Sequence, residues 1–129
     1  AGWEQVRAVD RGSNHVVSWL ADGYTERDVV TVILSSRFFP QPLPVGIAAN
    51  SIACRAPAAA GRVTIPAALL RQIPATPSGI SVPMPGTLEL RLASHPYRRK
   101  IVDLPLTNGA AEKMVLDYLH SEVQAVTIR

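Results

Sequence analysis

Proline sets the first limit on this chain. Eleven prolines are distributed between short β-branched runs, leaving little room for long helices. Proline has no amide proton and its ring collides with the preceding helical turn, so it stops a helix and is excluded from central strands. Pro40, Pro42 and Pro44 fall within five residues, just after Phe38 and Phe39, and define Arg37–Asn50 as a loop or edge segment. Pro77, Pro83 and Pro85 do the same for a second long loop over Thr76–Pro85.

Between these breaks the apolar residues alternate with period two, the repeat of a half-buried strand. Val6–Val9 reads as a short first strand. His15–Leu20 puts Val17 and Trp19 on one face, and Asp28–Ser35, rich in Val, is the clearest strand of all. Ala21-Asp22-Gly23 lies between them, a turn sequence that predicts a hairpin over 15–35. Thr87–Ala93 alternates Leu88, Leu90 and Leu92 against Glu89 and Arg91, giving one dry face and one wet face. Ile52–Arg55, Val63–Ile65, Lys100–Leu104 and Val123–Ile128 complete the set of strands. Residues 110–119 depart from it. Their apolar positions 110, 111, 114, 115, 118 and 119 follow the helical period, and Asn108-Gly109 supplies a cap, so a short helix is expected there.

The stretch Ser51–Pro74, SIACRAPAAAGRVTIPAALLRQIP, is the richest in local signals. A short strand carries Cys54, a Pro/Ala break follows, Gly61 opens a second strand, and Pro66 starts a helical turn that Pro74 ends. That turn, near 67–72, is expected to plug one end of the domain with Leu69, Leu70 and Ile73, bridging strands in different sheets. Trp19 and Cys54, with 34 residues between them, are expected to be buried on facing strands.

The chain's 129 residues suit one domain, 1–129, with a core formed mainly by Val, Ile, Leu and Ala because aromatics make up only 5%. The net charge of +3 comes from scattered arginines. Only Arg98-Arg99-Lys100 forms a basic run, best suited to a solvated loop or a guarded edge strand, so nucleic acid is not the expected partner. A single cysteine excludes an internal disulfide. No apolar run reaches the length of a membrane span. The opening AGWEQVRAVD lacks a basic-then-apolar leader pattern, which leaves secretion open.

Residues 14–93 resemble a known module. Val17-Ser18-Trp19, Val29–Leu34, Ile52-Ala53-Cys54, Pro57–Gly61, Val63–Ala67, Leu69-Leu70, Ile73-Pro74 and Leu88–Leu92 are similar to the immunoglobulin-like β-sandwich domains of large secreted acidobacterial proteins. The resemblance implies a mostly β, immunoglobulin-like antiparallel β-sandwich of about seven strands. It also implies a non-catalytic structural or adhesive module, secreted or at the cell surface, which meets neighbouring domains, another protein or a carbohydrate. A shorter segment, Gly61–Ala67 with Leu69-Leu70-Arg71, resembles the swapped-hairpin DNA-binding domain of AbrB-like transcriptional regulators. There Arg62 and Arg71 would contact phosphates.

Candidate chemistry is sparse. His15, His95 and His120 are too far apart for a short metal-binding pair, and each suits a surface or strand end. Ser18, His15 and Asp22 lack the glycine pattern of a nucleophile elbow. Cys54 sits between apolar neighbours with Arg55 on the opposite face, which describes a buried thiol rather than a reactive one. Asp22, Glu26 and Asp28 are too few for a calcium loop and read as solvated turn charges. No catalytic, cofactor-binding or metal-binding residue is expected, and the chain is not read as an enzyme. The surface-contact candidates are Phe38 and Phe39, adjacent aromatics that face opposite ways beside a stiff proline segment.

Overall fold

A computed structural model of the chain describes residues 2–25, 27–38, 48–78, 84–93, 100–105, 111–116 and 119–129. The chain is mostly β. After a 3-10 turn at Trp3–Gln5 come β1 (Ala8–Val9), β2 (His15–Ser18), β3 (Val29–Phe38), β4 (Ala48–Pro57) and β5 (Arg62–Ile65). A one-turn helix α1 (Ala67–Leu70) precedes β6 (Gly86–Ala93), β7 (Lys100–Pro105), β8 (Ala111–Leu116) and β9 (Leu119–Ile128).

The main sheet has the order β1-β9-β6-β3-β4. Its long strands are antiparallel neighbours, but β1 runs parallel to β9, so the sheet is mixed rather than purely antiparallel. Two smaller antiparallel sheets accompany it, β2 with β5 and β7 with β8.

The alternating pattern explains the core. On β3, Val30, Val32 and Leu34 point inward, and β6 contributes Leu88, Leu90 and Leu92 to the same buried cluster. Val126 and Ile128 extend it along β9. Val17 of β2, Ile65 of β5, and Leu70 and Ile73 of the α1 region cover this face, joined by Trp3, Val6 and Val9 from the N-terminal segment. The outer face is wet. There Glu89 takes hydrogen bonds from Arg91 and from the Ser121 hydroxyl. At Gly86 a Cβ would lie 2.6 Å from Ile128 Cδ1 and 3.0 Å from the Ser35 carbonyl, so a side chain there would force the buried Ile128 to shift.

The hairpin expected over 15–35 does not form. Both edges of β3 are occupied, by β4 through ten residue pairs and by β6 through seven. Four-residue β2 crosses instead to the second sheet and pairs with β5, from His15 opposite Ile65 to Ser18 opposite Arg62. Longer ladders bury more paired backbone, so the long strands take the central edges. Asp28 ends the intervening turn. It is buried rather than solvated, and its Oδ2 accepts from the Thr25 amide at 2.8 Å and the Thr25 hydroxyl at 2.9 Å.

The helix expected over 110–119 is also absent. Residues 111–116 form β8 in register with β7, and β9 begins at Leu119 opposite Ala93. A ten-residue helix is marginal on its own, and the ladders offered by β7 and β6 outweigh its local preference. Asn108-Gly109, read as a helix cap, lies outside the described residues.

The Ser51–Pro74 stretch behaves largely as its residues suggest. A 3-10 turn at Ala58–Ala60 carries the chain from β4 to β5 and ends at Gly61, whose φ of 65° favours glycine. Pro66 sits immediately before α1 and accepts hydrogen bonds from Leu69 and Leu70, while Asn14 Oδ1 caps Ala67 N at 2.9 Å. Leu70 and Ile73 plug the core between the two sheets, but Leu69 does not: it is exposed. Trp19 and Cys54 are each half-buried against the core rather than inside it. Trp19 lies just beyond β2, where its Nε1 donates to the Ala58 carbonyl at 2.8 Å and its amide to the Gly61 carbonyl at 2.9 Å.

Candidate functional site

Strand β9 changes character along one face. Period-two alternation puts His120, Glu122, Gln124, Val126 and Ile128 on the same side, and the register sets His120, Glu122 and Gln124 opposite Leu92, Leu90 and Leu88 of the core face. Val126 and Ile128 are buried there, as an inward face requires, yet the first three positions are polar. The outward Val123 is 60% exposed, so the polarity of this part of β9 is inverted. Polar side chains on the core face of a sheet need partners or solvent.

The N-terminal segment provides both. Trp3 is buried and donates from Nε1 to Glu122 Oε2 at 3.1 Å. Gln124 donates back to the Trp3 carbonyl, and Arg7 Nη1 donates to Gln124 Oε1 at 3.1 Å. These bonds tie the first turn across the inner face of β9. Where the covering stops, a cleft of about 600 Å³ opens onto Glu122 and His120.

The floor of this cleft is Val30, Leu90 and Leu92. Trp3 and Trp19, the chain's two tryptophans, both line it. Leu20 and Tyr24 form its rim and are 84% and 39% exposed. Ser18, Glu4 and the Glu122–His120 pair supply the polar groups. His120 Nε2 lies 3.0 Å from Glu122 Oε1. That hydrogen bond, with the second from Trp3, holds the Glu122 carboxyl below the ordinary glutamate range against the opposing effect of burial. The carboxylate is thus hydrogen-bonded on both oxygens and still half-exposed. A concave apolar floor, aromatic lining and a few oriented polar groups are the makings of a small-molecule site.

The residues singled out from sequence are distributed elsewhere. Phe38 ends β3 opposite Ala48 and is half-buried; Phe39 lies outside the described residues. His120 is exposed near the start of β9, as expected, but faces the cleft. His15 is in β2, its Nε2 buried, and His95 lies outside the described residues, as does Glu26. Cys54 sits on β4 opposite Val32, and burial pushes its thiol up from the ordinary range. Arg62 and Arg71 are both exposed, Arg62 on β5, which pairs within this chain. Of the basic run, Arg98 and Arg99 lie outside the described residues and Lys100 begins β7. Among the described residues no helix is long and apolar enough to cross a membrane, and no three His, Cys, Asp or Glu side chains gather as a metal site.

The cleft left one trace in the sequence. His120-x-Glu122-x-Gln124 is in phase with Val126-x-Ile128, so the strand that buries its last residues also points three polar ones inward. Starting that strand at Val123 and placing a helix over 110–119 hid the phase. Comparison with protein-family models, curated proteins and solved structures finds no match for the chain.

Proposed function

We propose that this chain is a non-catalytic binding module of an extracellular or cell-surface protein, built as an immunoglobulin-like β-sandwich, with the cleft beside β9 as its working surface. The observation that carries the proposal is the polar inner face of β9 left open beneath an aromatic lining. A purely structural module gains nothing from placing His120 and Glu122 on its core face, whereas a binding module gains oriented polar groups on an apolar floor. The β-rich architecture and the core between the main sheet and the β2–β5 sheet support the sandwich. The half-buried Phe38 makes the weaker contact surface of the two.

Both tryptophans line the cleft, so their emission responds to its occupancy. The test titrates that emission with one neutral oligosaccharide, one organic cation and one organic anion. A saturable change with any of them, weakened by Tyr24→Leu and untouched by Phe38→Ala, is the expected result. No saturable change with all three would reject the cleft as the working surface.

A further inference from the structure

We infer that the cleft selects a small organic cation, a quaternary or highly alkylated ammonium compound; this rests on the proposed binding role of the cleft. The first argument is charge. The chain carries 13 lysines and arginines against 10 acidic residues, yet the described residues lining the cleft include Glu4 and Glu122 and no Lys or Arg. Glu4 and Glu122 outnumber His120, the one basic side chain in that lining, so this recess on a positive protein attracts a cation and disfavours an anion.

The second argument is the direction of the hydrogen bonds. Trp3 spends its indole N–H on Glu122 and Trp19 spends its own on the Ala58 carbonyl. The two indoles therefore line the cleft with no N–H left to give a ligand. Glu122 is held in place by Trp3 and His120, so no reorganisation is needed to present its charge. A polyhydroxylated neutral ligand requires donors and acceptors in balance, and here both indole donors are already used. An alkylated ammonium asks for neither. Its charge is attracted to aromatic faces and to the carboxylate, while its methyl groups pack on Leu20, Leu90 and Leu92. The cleft's volume of about 600 Å³ is in the range that encloses a whole small molecule.

The experiment compares choline with its uncharged isostere 3,3-dimethylbutan-1-ol, alongside maltotriose and acetate, by tryptophan emission and titration calorimetry. Choline is expected to saturate the emission change and to bind at least about tenfold more tightly than the isostere, since only charge distinguishes them. Glu122→Gln keeps an acceptor for Trp3 and should lower choline affinity about fivefold or more while leaving the isostere unchanged. Tyr24→Leu, on an exposed loop, keeps apolar area but removes a ring, and should weaken choline without altering the melting temperature. Equal binding of choline and the isostere overturns the inference. Binding of maltotriose or acetate in place of choline overturns it too, but leaves the cleft as a binding site. Silence from all four probes rejects both the cation and the cleft.

Discussion

Leu69 and Leu70 are neighbours in a single helical turn, and the structure assigns them opposite fates. Leu70 is 0% exposed at the end of α1, within the cluster that joins the main sheet to the β2–β5 sheet, while Leu69 is 37% exposed. Truncating a fully buried leucine to alanine removes its transfer free energy and leaves a cavity, about 3 kcal/mol for a site that relaxes partly. For a chain of this length the unfolding entropy at the midpoint is roughly 0.27 kcal/mol per kelvin, so Leu70→Ala should lower the melting temperature by about 11 °C. Leu70→Asp should do far more. It adds the desolvation of a carboxyl group within that apolar cluster and approaches the whole stability of a typical domain, on the order of 5–15 kcal/mol. Leu69→Asp should shift the midpoint by no more than about 2 °C, as surface substitutions do. Thermal unfolding followed by far-ultraviolet circular dichroism, with urea titration as a check on cooperativity, measures all three. A small shift for Leu70→Ala, or equal shifts for the two aspartate variants, would show that α1 lies on the surface and that the inter-sheet plug does not exist.

Two half-buried titratable groups give further expected outcomes. Burial pushes the His15 imidazole below the ordinary histidine range, and its Nε2 is buried with no hydrogen-bond partner among the described residues. The unfolded chain then binds the proton more readily, so stability is fully present above the unfolded value of about 6.5 and is lost as pH falls toward the lower folded value. The melting temperature should decline between about pH 7.5 and 5.5, and His15→Val should flatten that decline; an unchanged slope would remove His15 as its cause. Cys54, whose thiol is raised by burial, should react with a disulfide reagent at neutral pH at least about tenfold more slowly in the folded protein than in urea. Equal rates would mean that β4 leaves the sulfur open.

Much of the local structure is legible in the sequence, because it depends on neighbours in the chain. The period-two pattern of Leu88, Leu90 and Leu92 specifies a strand and its dry face, and the ring of Pro66 restricts the chain at the start of α1 wherever that turn is placed. Pairing is different, since local pattern does not say which edge a strand will meet. His15–Ser18 suits β3 as well as β5 by composition, and only the two long ladders already on β3 send it to β5. Residues 111–116 satisfy a helical period and a strand equally, and hydrogen bonding to β7 decides between them. The same holds for which of Leu69 and Leu70 turns inward, because both belong to one apolar pair until the two sheets close over it. The cleft depends most on tertiary structure. Trp3 and Glu122 are separated by 119 positions, and their hydrogen bond exists only because the N-terminal turn folds across β9. Residue types and alternation are properties of the chain, whereas a concave surface is a property of the elements that surround it, and those were brought together by long-range pairing.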